Sequence, residues 1–153
     1  MTQVYGGDVR GATLQARIAG TVIDAHDARY DEARKAWNLV VDQHPALIVY
    51  VENSADVVQA VRFANEWQLR IAVTATGHGV VRPADGAMLI NPSRMNGVSV
   101  YTAKQTARLG GGVKWGPVLE KTQAHGLAPL LGSSPDVGAV GYTLGGGMGW
   151  LAR

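Results

Sequence analysis

Residues 46–79 read ALIVYVENSADVVQAVRFANEWQLRIAVTATGHG, and this stretch decides the fold. It opens on six apolar residues, 46–51, a run too short for a helix of ordinary length and unbroken by polar positions, as in a strand buried on both faces. Ser54 then offers an N-cap, and Asp56 places a negative charge in the first turn of the next element. Val57, Val61, Ala64 and Trp67 recur on one side, which predicts a helix over 55–67. From Leu69 to Thr74 the residues are again β-forming, so residues 46–74 make a β-α-β unit. Its second strand runs straight into Thr76-Gly77-His78-Gly79, and the C-terminal end of such a strand is where α/β sheets present ligand sites.

Upstream, DEARKAWNLVV starts at Asp31 with acids first and Arg34 and Lys35 further on. Ala33, Trp37, Val40 and Val41 fall on one face, which predicts a helix over 31–41. Trp37 and Trp67 are both expected in the core. Residues 1–19 read as a lead-in, with order beginning near Leu14, and residues 20–153 as the domain itself. Downstream, Ala87–Asn91, Val98–Tyr101 and Thr106–Leu109 are short β-prone segments parted by turn signals at Asn91-Pro92, Asn96-Gly97 and Ala103-Lys104. That rhythm predicts an antiparallel meander. Gly116-Pro117 opens a further helix and Gly126 closes it. A short helix is predicted at Asp136–Val140, then a glycine loop. The fold class is α+β: a small β-α-β lobe followed by a mostly antiparallel β lobe with short helices.

Composition narrows the function classes. A length of 153 residues suits one domain, and 46% hydrophobic with 17% charged residues excludes a disordered chain. Zero cysteines exclude disulfides, cysteine-ligated metals and thiol nucleophiles. A net charge of +2, with basic residues that never form a run, argues against a nucleic-acid surface. No stretch reaches about 18 uninterrupted apolar residues, and MTQVYGGDVR lacks the order of a signal peptide, so a soluble, cytoplasmic protein with no membrane partner is expected. Glycine is the outlier: residues 1–109 hold 8 of the 20 and residues 110–153 hold 12. Glycine tolerates positive φ and lets backbone N–H groups come close to a bulky anion.

Several motifs fail on inspection. Gly77-His78-Gly79-Val80-Val81-Arg82 misses the last glycine of G-x-G-x-x-G and leads into Pro83 instead of a helix, which disfavours a dinucleotide turn. The Lys121-Thr122 pair follows Glu120, so there is no Walker A loop. Ser133 and Ser134 follow Gly132 but lead into Pro135, not into the G-x-S-x-G of a serine hydrolase. The four histidines stand at least 18 residues apart in sequence, which gives no local metal-ligand spacing, and no metal is expected. His26, His44 and His125 stand beside turns or element ends and read as exposed and structurally neutral. His78 lies between two glycines after a strand, a poor place for a packing residue and a good one for reaching a bound molecule.

In collinear order from about residue 20, YDEARKAWN, HPALIVYVENSADVVQAVRFA, TGHG, GGGVKWGPV and GSSPDVGAVGYTLGGGMGWLAR resemble the N-terminal FAD-binding domain of the berberine-bridge-enzyme-like FAD-linked oxidoreductases. Their fold is the PCMH-type, or vanillyl-alcohol-oxidase, FAD-binding fold. The resemblance implies that Thr74, Ala75, Thr76, Gly77, His78 and Gly79 cradle the FAD pyrophosphate, with His78 the covalent link to the flavin. It implies that Ser134, Val137, Gly138, Gly141, Thr143, Gly145, Gly146, Gly147 and Gly149 wrap the adenosine diphosphate. Gly79 stands where the family carries a serine. Ser134 stands where bicovalent members carry a cysteine, so a second covalent link is chemically impossible.

The resemblance further implies a flavin that accepts hydride from a small organic substrate and passes electrons to dioxygen, with the catalytic base in sequence beyond Arg153, and hence a C-terminally truncated form without its substrate domain. Two other readings stay open: a non-catalytic flavin-binding fragment completed by a partner chain, and a molybdenum-hydroxylase-type FAD subunit, which His78 disfavours.

Overall fold

The computed structural model describes residues 9–150. Its elements are α1 (Val9–Gln15), β1 (Thr21–Asp24), α2 (Tyr30–Ala33), β2 (Leu47–Tyr50), α3 (Ser54–Glu66), β3 (Ile71–Val73), β4 (Met88–Asn91), β5 (Val98–Tyr101), β6 (Thr106–Leu109), α4 (Trp115–Gln123) and α5 (Ala139–Leu144). Four strands form one sheet in the order β1-β2-β4-β3, and β5 and β6 form a separate hairpin. The mixture of a partly parallel sheet, a hairpin and short helices is α+β, as the sequence predicts.

The β-α-β unit forms around an inserted strand. β2 and β3 run parallel, and β4 lies between them, pairing Leu47↔Met88 on one side and Ile71↔Met88 on the other. The antiparallel meander predicted from Ala87 onward therefore holds only for β5 and β6, where Val98 faces Leu109. β4 has all four residues buried, and a continuous apolar run belongs to a strand covered on both faces, where neighbours on either side are parallel. Alternation across the sheet divides the core. Leu47, Val49, Met88 and Ile90 face Ala60, Phe63 and Ala64 of α3 together with Leu14 and Ile18. Ile48 and Leu89 face the other way, toward Ile23, Tyr30, Ala84 and Ala87. A third cluster joins Val113, Trp115 and Val118 to Ala139.

Within the stretch expected as a lead-in, α1 places Leu14 fully inside the core; residues 1–8 lie outside the described residues. The helix predicted over 31–41 is a single turn, α2. It gives way to a local turn in which Asn38 accepts from the Val40 amide, a bond that competes with a helical one, while the Arg34 guanidinium reaches on past the helix to Asp42. Trp37 is consequently 67% exposed and not in the core. Trp67 is 43% exposed and stacks at the rim on Phe63, with ring centroids 5.5 Å apart. α3 is capped one residue earlier than predicted, by Asn53, whose side-chain oxygen accepts from the Asp56 amide.

The helix predicted at Asp136–Val140 begins instead at Ala139. Residues 137–138 are held extended by Trp115 N–H donating to the Val137 carbonyl and Ala139 N–H donating to the Val113 carbonyl, so the helix starts only beyond that ladder. Among the described residues no helix is long and apolar enough to cross a membrane.

Candidate cofactor site

β3 ends at Val73, and the Thr74 N–H donates to the Ile90 carbonyl of the central strand, which ties the start of the His78 turn to the most buried part of the sheet. Gly77 adopts φ +73°, a left-handed conformation that favours glycine, and a Cβ there would lie 3.0 Å from the backbone nitrogen of Trp37. Gly79 has neither constraint. The second glycine segment meets this turn at Gly138, where a Cβ would sit 3.3 Å from Thr76 Oγ1. The 113–116 and 135–139 strands of chain bring it there, through the Gly116 N–H to Pro135 carbonyl bond and the Lys114↔Gly138 bridge.

Two cavities flank the turn, of about 580 Å³ and about 550 Å³. The larger is lined by Thr74 through Arg82 and, across from them, Val137, Gly138, Gly141 and Tyr142. The smaller is lined by Ala75, Thr76 and His78 with Trp37, Gly112, Lys114 and Asp136. Thr76 and His78 thus stand in the wall between the two. The larger cavity has one cationic side chain in its lining, Arg82, the kind of counter-charge a diphosphate needs; in the smaller, Lys114 lies 3.5 Å from the Asp136 carboxylate, which lines the same cavity and already partners its charge. His78 Nδ1 is buried and has no hydrogen-bond partner. An orphaned buried polar atom costs about 1–3 kcal/mol, so one at a cavity wall signals a partner that comes from outside the chain.

The predicted site residues divide. Thr74, Ala75, Thr76, Gly77, His78, Gly79, Val137, Gly138 and Gly141 come together around the larger cavity. Ser134, Thr143, Gly145, Gly146, Gly147 and Gly149 line neither cavity. The Ser134 hydroxyl accepts from the Asp136 amide, and the Thr143 hydroxyl donates to the Ala139 carbonyl of its own helix. Gly145 ends α5, and a Cβ on Gly147 would collide with the Tyr142 ring. Gly149 passes so near Leu131 that a Cβ would lie 2.8 Å from its carbonyl oxygen. These glycines therefore let the chain close around Tyr142, whose hydroxyl donates to the Met148 carbonyl.

Sequence reasoning missed Trp37, Arg82, Lys114 and Tyr142 as site residues. Trp37 was hidden by its place in a helix-like pattern, and the others by the distance in sequence over which they converge. His26, His44 and His125 are exposed, as expected.

A family described as an FAD binding domain matches residues 45–153. An FAD-linked oxidoreductase of Dictyostelium discoideum is 38% identical over 137 residues, which are 89% of this chain and 30% of that protein. Among solved structures, BBE-like 1 of Physcomitrella patens superimposes with a TM-score of 0.82 at 27% identity, over 92% of this chain and 31% of the other. Glucooligosaccharide oxidase from Acremonium strictum, a protein with a 6-S-cysteinyl, 8α-N1-histidyl FAD, does so with a TM-score of 0.81 at 27% identity, over 94% and 31%. The chain spans about 30% of the length of the curated relatives it matches. A glycine-rich turn at the end of a parallel strand, two cavities about its histidine and this set of relatives agree: the chain belongs to the FAD binding domain family of the FAD-linked oxidoreductases and has their PCMH-type fold.

Proposed function

We propose that the chain holds FAD around the Thr74–Gly79 turn, with Val137, Gly138 and Gly141 opposite, and that His78 is its covalent attachment point. The observation that carries this is the buried, unpartnered His78 Nδ1 in the wall between two cavities. The histidyl link of glucooligosaccharide oxidase supports it by analogy. His78 Nδ1 would hold the flavin by giving up its N–H bond for a C–N bond to a ring methyl carbon, which would give up one C–H bond, with dioxygen taking the two protons and two electrons to form hydrogen peroxide. Ser134, at the position where the resemblance places the cysteine of a second link, offers no thiol for one.

The backbone of Thr74–Gly79 does the binding. Left-handed Gly77 turns the chain back on itself, and Gly138 lets the two segments close to van der Waals contact, which brings both backbones to the wall of the larger cavity, where a diphosphate could approach them. Arg82 supplies positive charge on the side of the larger cavity. When bound, the flavin supplies two-electron chemistry, taking hydride from a C–H bond beside oxygen or nitrogen in a small organic substrate. The domain's own part is position and electrostatics.

Loading the purified chain with FAD and precipitating it with acid tests the assignment. Yellow colour retained in the pellet, and lost in His78→Ala while non-covalent FAD binding persists, is the expected result. Release of all flavin by acid from the wild-type chain refutes the covalent role. A second reading, a flavin-binding subunit whose site is completed by further polypeptide, is favoured by Leu130, Leu144, Met148 and Trp150, each at least 70% exposed beside the second segment. Turnover that appears only when a second polypeptide is added would support it.

A further inference from the structure

We propose that Trp37 is a positioning residue for His78, its indole fixing the plane of the imidazole in the turn. The inference deepens the assignment of His78 as the flavin link and rests on it. The two rings stack with centroids 5.0 Å apart and 21° between planes, within the offset-stacked range of aromatic pairs. Burial does not explain the placement, since Trp37 is two-thirds exposed and belongs to none of the three core clusters. The surrounding chain does explain it. Arg34 and Gln43 close the base of a loop: Gln43 Nε2 donates to the Arg34 carbonyl at 2.8 Å, and the Arg34 guanidinium donates to the Gln43 carbonyl at 3.2 Å. Gln43 is itself 2% exposed and accepts from the Ala84 amide, which anchors that base in the core. At the loop's far side the Trp37 backbone abuts Gly77, the residue before His78, so closely that any Cβ would press on it. The loop thus grips the turn through backbone and ring together, and Nδ1 of the held imidazole is buried without a hydrogen-bond partner.

The experiment compares the wild-type chain with Trp37→Ala and Trp37→Phe. In the FAD-free proteins, nuclear Overhauser contacts and ring-current displacement at the His78 imidazole report the stack. They are expected in wild type, to vanish in Trp37→Ala and to persist in Trp37→Phe. After FAD loading, the acid-stable flavin formed at a fixed early time should fall about 2- to 12-fold in Trp37→Ala. That range corresponds to the about 0.5–1.5 kcal/mol of an aromatic pair at 1.4 kcal/mol per tenfold. Trp37→Phe should recover most of it and melt near wild type, while Trp37→Ala should melt lower by no more than the about 1–6 °C that loss of the stack alone accounts for. Unchanged linkage in Trp37→Ala, failure of Trp37→Phe to rescue, or a loss of FAD affinity without a loss of linkage would each overturn the proposal. If the wild-type chain links no flavin, the covalent role of His78 fails by itself, and the ring contact in the FAD-free protein still decides whether Trp37 holds the imidazole.

Discussion

Replacing Gly77 by alanine puts the geometry of the turn to a direct test. Gly77 sits at φ +73°, and a left-handed conformation costs an L-residue roughly 1–2 kcal/mol. The new methyl would also lie 3.0 Å from Trp37 N and 3.5 Å from Ala36 Cα, both backbone atoms that cannot swing aside as a side-chain tip would. Relief comes only by moving the Ala36–Trp37 chain away, which gives up the Trp37–His78 stack, worth about 0.5–1.5 kcal/mol. The sum is about 1.5–3.5 kcal/mol. At about 2–4 °C per kcal/mol for a chain of this size, the melting temperature should drop by about 3–14 °C. Gly79→Ala is the control two residues away. Its φ is not left-handed and nothing lies within 4 Å of its Cβ position, so it should stay within about 0.5 kcal/mol of wild type. Thermal unfolding of the two variants side by side is the assay, with flavin retention as a second readout. Equal melting of Gly77→Ala and Gly79→Ala would refute the reasoning, because it would mean that neither φ nor the approach of Trp37 constrains the turn.

Asp56 is almost wholly buried, and its carboxylate accepts from the amides of Ala19, Gly20 and Glu52, each at 3.0 Å. Asp56→Asn turns an NH₂ group toward N–H donors, so it should cost about 3 kcal/mol, seen as a lower urea midpoint with an unchanged m-value. At the surface, hydrogen bonds from the Arg29 side chain and then its backbone hold the Asp27 carboxyl at about 2, below its ordinary 3.8. The folded value is depressed, so this pair's contribution is complete above the ordinary carboxyl value and disappears as pH falls from there toward 2. A carboxyl-carbon NMR titration should show the low midpoint, and Arg29→Gln should raise it toward 3.8.

Much of the site was legible in the chain because its signals are local. Thr76-Gly77-His78-Gly79 follows β-forming residues directly, and the helix before it carries acids and apolar residues at helical spacing, so strand, helix and ligand turn could be placed from neighbours alone. Trp37 shows where local signals mislead. Its spacing with Ala33 and Val40 fits a helix, yet the chain leaves the helix after one turn for the Asn38 turn, and the indole stacks on His78. The crowd of glycines is a second case. Gly112 and Gly110 are needed because the chain at Pro92–Met95 presses against them, and Gly147 because Tyr142 does, reasons that residue types alone do not contain.

By itself, then, the sequence determined an α+β domain with a histidine in a glycine turn at a strand end, because periodicity and turn chemistry act over a few residues. Tertiary structure alone decided that β4 inserts between β2 and β3, that Trp37 stacks on His78, and that only Val137, Gly138 and Gly141 of the second glycine segment's predicted residues face the first. Each of those outcomes depends on segments tens of residues apart competing for the same buried surface and backbone hydrogen bonds. That competition is settled by packing, which no short window of sequence records.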